Sequence, residues 1–361
     1  MKTTSTSKPA FLSYMHSFRG FAIVNIVAIH AIGFSAWEAS NNPKDPISIA
    51  NELLFHNSTI YFALISGLLY TAILKKKGYQ QFFSSKFKYV LLPYIFFTLL
   101  YTVFDNKVYD FFVYQTSFNN YLNDLPRNFI YGKAMFVFWY IPVLLFLYLA
   151  TPFLDYLMQI KRWGNWLMVI IIFTPLVVRR EEVRELYTSD FLSFHNMVHF
   201  TGAYAAGMYL ADNLETKIAL IHKNKYLLLV MAVVASSAIL YATLNDYDKV
   251  GVFSILSALY YFQKIVISLL VLLFFKSLGE NQPKWLQPIA KDAFAIYFLH
   301  VFFIGVLLGY FGPITFFIKI VKFNALLGGV LILVISILMS MLVVWLFRLL
   351  FGKYSRMIIG S

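Results

Sequence analysis

Ten stretches of about 20 mostly apolar residues divide this chain, and each is long enough to cross the hydrocarbon core of a bilayer as a helix. Hydrophobic residues make up 60% of the 361-residue chain, charged residues only 13%, and the mean hydropathy is +0.69. The sequence therefore predicts an all-α polytopic membrane protein in which about ten transmembrane helices form one bundle. The predicted spans lie near 11–37, 50–74, 89–105, 134–158, 163–179, 193–211, 225–244, 252–275, 289–310 and 325–350.

The segments between these stretches are too short for a separate soluble domain, so residues 1–361 are expected to form a single transmembrane domain. Residues 105–133 are too polar to cross the membrane and too aromatic for a plain linker. We expect this segment to lie on the membrane surface as a short amphipathic or re-entrant piece. The chain contains no cysteine, which excludes disulfides, thiolate metal sites and cysteine nucleophiles.

Lysine and arginine are unevenly divided between the two sides of the predicted bundle. The side that holds both termini carries eighteen of them and the opposite side carries ten. Because cytoplasmic loops are enriched in these residues, both termini are predicted to be cytoplasmic, in the plasma or inner membrane of the cell. The net charge of +13 is then mostly a topology signal, and we expect no nucleic-acid partner.

The first span, SYMHSFRGFAIVNIVAIHA at residues 13–31, carries three ionisable side chains: His16, Arg19 and His30. An arginine at the centre of a span costs roughly 2.5–3.5 kcal/mol or more, so it is a functional-site candidate. Arg19 and His30 are separated by about 1100° of helical rotation and a rise of about 16 Å, which places them on one face at different depths. Alternatively, His16 and Arg19 extend to the interface and His30 bonds a carbonyl of a neighbouring helix.

Six motifs follow each other along the chain in a recognisable order. They are RGFAIVNIVAIH at 19–30, FALISGLLY at 62–70, KFKYVLLPY at 86–94, FWYIPVLLFLYLATPFL at 138–154, HFTGAYAAGMYLA at 199–211 and AFAIYFLH at 293–300. Together they resemble the acyltransferase-3 family, multi-span enzymes that O-acylate bacterial surface polysaccharides and related molecules. The family often has a histidine shortly before the tryptophan of its fourth span, whereas this chain reads MFVFW, with no histidine before Trp139.

The resemblance implies transfer of an acyl group, most simply acetyl, from cytoplasmic acyl-CoA to a hydroxyl of a glycan or glycolipid. A base near neutral pKa must take the hydroxyl proton, and His30 is our candidate. Arg19 is expected to bind the phosphate or amide oxygens of the donor, or to stabilise His30 and the developing oxyanion. A structural ion pair is the alternative for Arg19. Direct transfer and an acyl group resting first on His30 are both compatible with the sequence.

Other candidates for donor or acceptor binding each have a plainer explanation. Lys86 and Lys88 would meet the CoA phosphates, although topology alone accounts for lysines in this loop. Ser66 would act as a hydroxyl donor or nucleophile, although a Ser-Gly pair in a span usually permits close helix packing. Trp139 would stack on adenine or a sugar, unless it belongs to the core.

Two pairs of side chains share a helix face by their spacing. Tyr297 and His300, three residues apart, are expected to line the same cavity, unless the tyrosine belongs to an interfacial belt. His195 and His199, four residues apart, have metal-ligand spacing, but no third ligand accompanies them, so no metal is predicted. We expect no permanently bound cofactor, acyl-CoA as a substrate, and membrane lipid as the surroundings.

A transporter or flippase for a glycan or lipid-linked intermediate is the alternative function. Ten spans, charge within the membrane and an aromatic interior would suit it. The sequence shows neither repeated halves nor paired broken helices, and this favours the enzyme.

Overall fold

The computed structural model describes residues 8–105, 113–114, 118–181, 193–247, 249–250, 253–310 and 316–361. The protein is 83% helical and has almost no strands, which confirms the all-α polytopic class. The helices are α1 Lys8–Ser40, α2 Pro46–Phe55, α3 Thr59–Leu69, α4 Tyr79–Lys86, α5 Leu92–Tyr101, α6 Phe118–Tyr131, α7 Tyr140–Gln159, α8 Gly164–Phe173, α9 Phe194–Ala211, α10 Leu214–Lys223, α11 Lys225–Leu244, α12 Ile255–Ser277, α13 Leu286–Leu307, α14 Phe316–Phe323, α15 Ala325–Phe351 and α16 Ser355–Ile359.

Short irregular pieces join several of these helices. Two π-helical turns, Tyr70–Leu74 and Phe87–Leu91, follow α3 and α4. Two antiparallel strand pairs of two residues each are the β-structure of the described chain: β1 Phe104–Asp105 with β2 Val113–Tyr114, and β3 Lys249–Val250 with β4 Phe253–Ser254. Three single turns of 3₁₀-helix lie at Lys75–Lys77, Thr174–Leu176 and Gly352–Tyr354.

Seven helical stretches in the described chain are long and apolar enough to cross a membrane. They are Ser13–Ser40, Pro46–Lys77, Tyr140–Gln159, Lys225–Leu244, Ile255–Ser277, Leu286–Leu307 and Ala325–Ile359. The predicted spans at 89–105, 163–179 and 193–211 are not among them. The first two correspond to the short helices α5 and α8. The third corresponds to α9, which is less apolar because it contains histidine, asparagine and glycine.

Helices α1 and α13 run parallel to each other along most of their length. His16 Nε2 donates to the carbonyl of Gln287 at 3.2 Å, and Tyr310, just beyond α13, donates its hydroxyl to Glu38 at 2.5 Å. The sequence offset between partners is 271 at the first contact and 272 at the last. A constant offset is the sign of parallel packing.

Parallel packing restricts how often the chain crosses the membrane between α1 and α13. Two spans that point the same way must have an odd number of crossings between them. The seven long apolar stretches alone place four crossings between α1 and α13, whereas the ten-span prediction places seven. The packing therefore favours ten spans over seven, and the exact number stays a prediction.

Helices α3 and α9 also pack closely, because each contributes a glycine to the contact. A Cβ atom added at Gly67 would lie 2.0 Å from the Tyr204 carbonyl oxygen, and one at Gly207 would lie 1.9 Å from that of Leu64. Small residues at such a contact let two backbones approach within a membrane. The core of the bundle is formed around α13, because 72% of its most apolar 18-residue stretch is buried. Only 22% of the corresponding stretch of α11 is buried, so α11 lies at the periphery.

Two predicted boundaries are wrong in detail. The fourth span was expected from residue 134, but its helix begins at Tyr140, because residues 132–139 form irregular backbone instead. The second predicted span, 50–74, lies within the candidate span Pro46–Lys77, whose helix is interrupted between α2 and α3, where Asn57 adopts a left-handed φ of 62°. The third span ends its helix at Tyr101, short of residue 105. The amphipathic piece within 105–133 contains the exposed helix α6, and its position at a membrane surface stays a prediction.

The predicted orientation can be tested by labelling single cysteines, because the natural chain has none. Gln80 in α4 and Asn119 in α6 are exposed and lie on opposite predicted sides. In intact cells, a membrane-impermeant thiol reagent should label the Asn119→Cys variant and leave Gln80→Cys unlabelled. Labelling with the opposite pattern would reverse the orientation, and equal labelling after membrane permeabilisation is the control.

Candidate active site

The ionisable face of α1 keeps accessible surface in the middle of the bundle. His16, Arg19 and His30 are half-buried, whereas Ile23 and Ile26 between them on the same face are buried. The two ends of the face therefore form separate polar regions, one around Arg19 and one around His30. Their separation along the helix axis is about 16 Å.

His30 lies against a second histidine, His300 of α13. The two ring centroids are 5.4 Å apart, and Phe136 and Phe34 pack against His30 at 5.2 and 6.1 Å. This contact follows from the parallel packing of α1 and α13, in which residue 30 faces residue 300. The pair is walled by aromatic rings and is positioned by two long helices.

The hydrogen bonds of His300 determine which of its nitrogens carries the proton. Nδ1 lies 3.0 Å from the carbonyl oxygen of Ile296 and 2.9 Å from that of Tyr297. Because carbonyls only accept, Nδ1 must carry the hydrogen, and Nε2 of the neutral ring then holds a lone pair. Nε2 is buried and has no partner among the described residues. His300 therefore presents a hydrogen-bond acceptor beside His30.

The irregular backbone at residues 132–139, here called the 132–139 segment, forms one wall of this region. Its Phe136 contacts His30, and the Tyr297 hydroxyl donates to its Val137 carbonyl. Gly132 permits the sharp bend, since it has a φ of +69° and an added Cβ would lie 2.6 Å from the Phe138 carbonyl. Non-helical backbone at membrane depth is tolerated only inside protein or along a water-filled cavity, and such segments often mark a site.

Arg19 makes no hydrogen bond and no ion pair with any residue that the structure describes. Asp292 and Tyr148 lie within electrostatic range of it, as does a second cation, Arg356. Asp292, however, is paired with Arg348 and accepts a hydrogen bond from the Ser361 hydroxyl at 2.6 Å. The structure thus gives Arg19 no ion-pair partner within the described chain, and its guanidinium is available to an anion.

The comparisons with known proteins bear on this arrangement. The family model described as an acyltransferase domain, that of the acyltransferase-3 family, matches residues 12–349, nearly the whole chain. The chain belongs to the acyltransferase-3 family. Searches among curated proteins and among solved structures gave no match.

The protein is thus a membrane acyltransferase, and the family resemblance that the six motifs predicted is confirmed. The roles of individual residues stay predictions. The structure brings His30 and His300 together beside the 132–139 segment, whose Val137 carbonyl accepts from Tyr297. Arg19 lies toward the other end of the same helix face.

Lys86 lies near the Arg19 end of the acyltransferase. Its ammonium group is 4.3 Å from the ring centroid of Tyr148, the tyrosine that is also within electrostatic range of Arg19. Lys88 is exposed. Sequence reasoning missed Arg356, which stacks at 4.2 Å on Tyr89 beside these lysines and lies outside the matched residues 12–349.

Ser66 and Trp139 lie in packed surroundings, and their roles in substrate binding stay predictions. Ser66 is half-buried on α3, next to the close glycine contact with α9. Trp139 is 8% exposed and lies against Phe200 at 5.6 Å, with the Arg180 guanidinium 4.7 Å from its ring. In this conformation, the Arg180 guanidinium lies over one face of the Trp139 ring.

The two histidines of α9 have different partners, so their metal-ligand spacing is not used within the described residues. His195 pairs with Glu181 at 2.9 Å, and His199 Nε2 accepts from the Asn57 amide at 3.0 Å. In the part of the chain that the structure describes, no group of three or more His, Cys, Asp or Glu side chains could hold a metal ion.

Two cations near the aromatic interior were not singled out from the sequence. Lys264 is buried in α12 and donates to the Leu54 carbonyl at 2.8 Å, near the end of α2. Arg180 follows α8 and donates to Asn57 at 2.9 Å. The rule that selected Arg19, a charge inside an apolar span, would have found Lys264 as well. Arg180 had no such signal, because it lies just outside a predicted span.

The Tyr297 hydroxyl is expected to position the 132–139 segment against His30. Tyr297→Phe leaves the Val137 carbonyl unsatisfied, at a cost of about 1–3 kcal/mol in the free energy of unfolding. Tyr101→Phe is the matched control, since it removes a similar buried bond, to the Phe298 carbonyl at 3.2 Å. Both variants should unfold at a lower temperature than the wild-type protein when thermal unfolding is measured in detergent.

Acyl transfer per folded molecule should fall only in Tyr297→Phe. If both variants keep wild-type activity per folded molecule, the bond contributes to stability alone and does not position the segment for catalysis.

Proposed function

We propose that this membrane acyltransferase moves an acyl group from cytoplasmic acyl-CoA to a hydroxyl of a cell-surface polysaccharide or glycolipid. The observation that carries the proposal is the pairing of His30 with His300, 5.4 Å apart between ring centroids, inside a wall of aromatic rings. An imidazole in such a place is suited to take a proton from a hydroxyl group. The multi-pass protein would lie in the plasma or inner membrane with both termini cytoplasmic.

In the proposed reaction, the acceptor hydroxyl gives its proton to His30 while its oxygen forms a bond to the thioester carbon. The carbon–sulfur bond then breaks, and the CoA thiolate takes the proton back from His30 and leaves as a thiol. His300 would accept a hydrogen bond from the N–H of neutral His30, which leaves the other nitrogen of His30 to take the proton. The Nδ1 bonds of His300 to the carbonyls of Ile296 and Tyr297 support the tautomer of His300 that can accept this hydrogen bond.

The donor phosphates are proposed to bind at the Arg19 end. Arg19 and Arg356 are two cations within electrostatic range of each other, and Lys86 lies beyond Tyr148. Like charges so placed repel unless an anion lies between them, and guanidinium groups match phosphate geometry. The extended arm of the donor would then run along α1 toward His30, past Ile23 and Ile26.

A short acyl chain, such as acetyl, suits the surroundings of His30 best. Phe34 and Phe136 lie at 6.1 and 5.2 Å from its ring centroid, and these two phenylalanines also contact each other at 5.7 Å. Packed rings leave little space for a longer chain. Family membership favours this enzymatic function over that of a transporter or flippase. No contact among the described residues supports the transporter or flippase.

The proposal can be tested with purified protein, acetyl-CoA and an extract of the cell's surface glycans and glycolipids. Release of the CoA thiol can be followed directly, because a chain without cysteine contributes no thiol of its own. His30→Ala removes the proposed base, which is worth about 10²–10⁴-fold in rate. Arg19→Lys keeps the charge but loses the planar fork, so the apparent KM for acetyl-CoA should rise.

The exposed His222 of α10 provides a matched control, and His222→Ala should keep wild-type activity. Folded protein is quantified by size-exclusion chromatography, so that activity is expressed per folded molecule. Transfer by His30→Ala at the wild-type rate would reject the proposed mechanism, and no acetyl-CoA-dependent labelling of any acceptor by wild type would reject the donor.

A further inference from the structure

A hydrogen-bonded chain of three side chains holds Arg180 in place beyond the end of α8. Its Nη1 donates to Asn57 Oδ1 at 2.9 Å, and the Asn57 amide donates to His199 Nε2 at 3.0 Å. Asn57 and His199 are both buried. Asn57 follows α2 and His199 belongs to α9, so two helical regions position one guanidinium.

The same guanidinium is tied to the wall of the His30 region. Arg180 Cζ lies 4.7 Å from the ring centroid of Trp139, at the end of the 132–139 segment. Phe136, three residues earlier in that segment, packs edge-on against His30 at 5.2 Å. Two side chains of the 132–139 segment therefore contact the candidate base and the cation.

Arg180 and Arg19 differ in their electrostatic relation to His30. Arg180 is within electrostatic range of His30, whereas Arg19 lies about 16 Å away from His30 along α1. The Coulomb energy between two charges falls with their distance. A negative charge formed next to His30 is consequently stabilised more by Arg180 than by Arg19.

We propose that Arg180 provides the positive charge that stabilises the oxyanion of acyl transfer, and that Asn57 positions it. This inference rests on the proposed function. When the acceptor oxygen bonds to the thioester carbon, the carbonyl π electrons move to oxygen and the hydroxyl proton moves to His30. Collapse of the oxyanion restores the carbonyl and breaks the carbon–sulfur bond. A fixed cation lowers the energy of the charged intermediate more than that of the neutral thioester, so it acts on kcat.

A purely structural role for Arg180 predicts a different result. If the guanidinium only stabilises Asn57 and His199, its loss reduces the amount of folded protein and leaves the turnover of each folded molecule unchanged. The charge and the hydrogen bonds can be separated, because Lys keeps the charge while Gln keeps only part of the hydrogen bonding.

The test uses the full-length protein with acetyl-CoA as donor, the surface-glycan extract as acceptor, and CoA thiol release as the readout. Arg180→Gln is expected to lower kcat per folded molecule by about 10²-fold with the apparent KM for acetyl-CoA unchanged. The kcat of Arg180→Lys should lie between that of the wild-type protein and that of Arg180→Gln. Asn57→Gly should also lower kcat. Glycine readily adopts the backbone conformation of residue 57, which has a φ of +62°.

Arg127→Gln in the exposed helix α6 is the matched control and should have wild-type kcat. Wild-type turnover per folded molecule in Arg180→Gln, or a loss of activity that only follows the folded fraction, would overturn the inference while the proposed function stands. Absence of acetyl-CoA-dependent thiol release by the wild-type protein would instead reject the proposed function, and this inference with it.

Discussion

The parallel packing of α1 on α13 is the contact on which the site depends. It joins the two helices from the bond between His16 and Gln287 to that between Glu38 and Tyr310, and so it places His30 opposite His300. Both helices are long and apolar enough to span a membrane. A shift of either helix by one turn would separate the two imidazoles, so the chemistry is positioned by regular structure. The 132–139 segment then adds the irregular wall that a helix could not provide.

Charges in the low-dielectric interior show which side chains have structural roles. Asp155 is paired with Lys75 at 2.6 Å, Asp292 with Arg348, and Lys264 donates to a carbonyl at the end of α2. The two aspartates are compensated by ion pairs, and the Lys264 ammonium is held by a hydrogen bond to a neutral carbonyl. Arg19 has no ion pair with any described residue, and this is the basis of the proposal that it binds an anionic substrate. The membrane environment makes this contrast informative, because an uncompensated charge there is costly.

The sequence could predict the class of fold, the family and the two histidine-bearing helices. The spacing of Arg19 and His30 follows from helix geometry, and the motif AFAIYFLH places His300 on a helix face. The irregular 132–139 segment could not be predicted, because its composition is as apolar as that of the helix it precedes, and only the approach of Gly132 to Phe138 explains the bend. The position of Arg180 could not be predicted for another reason. Its partners Asn57 and Trp139 are distant from it in the chain, so only tertiary packing brings them together.

A structure of the protein with CoA bound is the measurement that tests the account most directly. The account predicts that the phosphates contact Arg19 and Arg356, that the arm follows α1 where Ile23 and Ile26 now pack, and that the thiol ends beside His30. CoA bound with its thiol away from the pair of His30 and His300, or with its phosphates distant from Arg19, would contradict it.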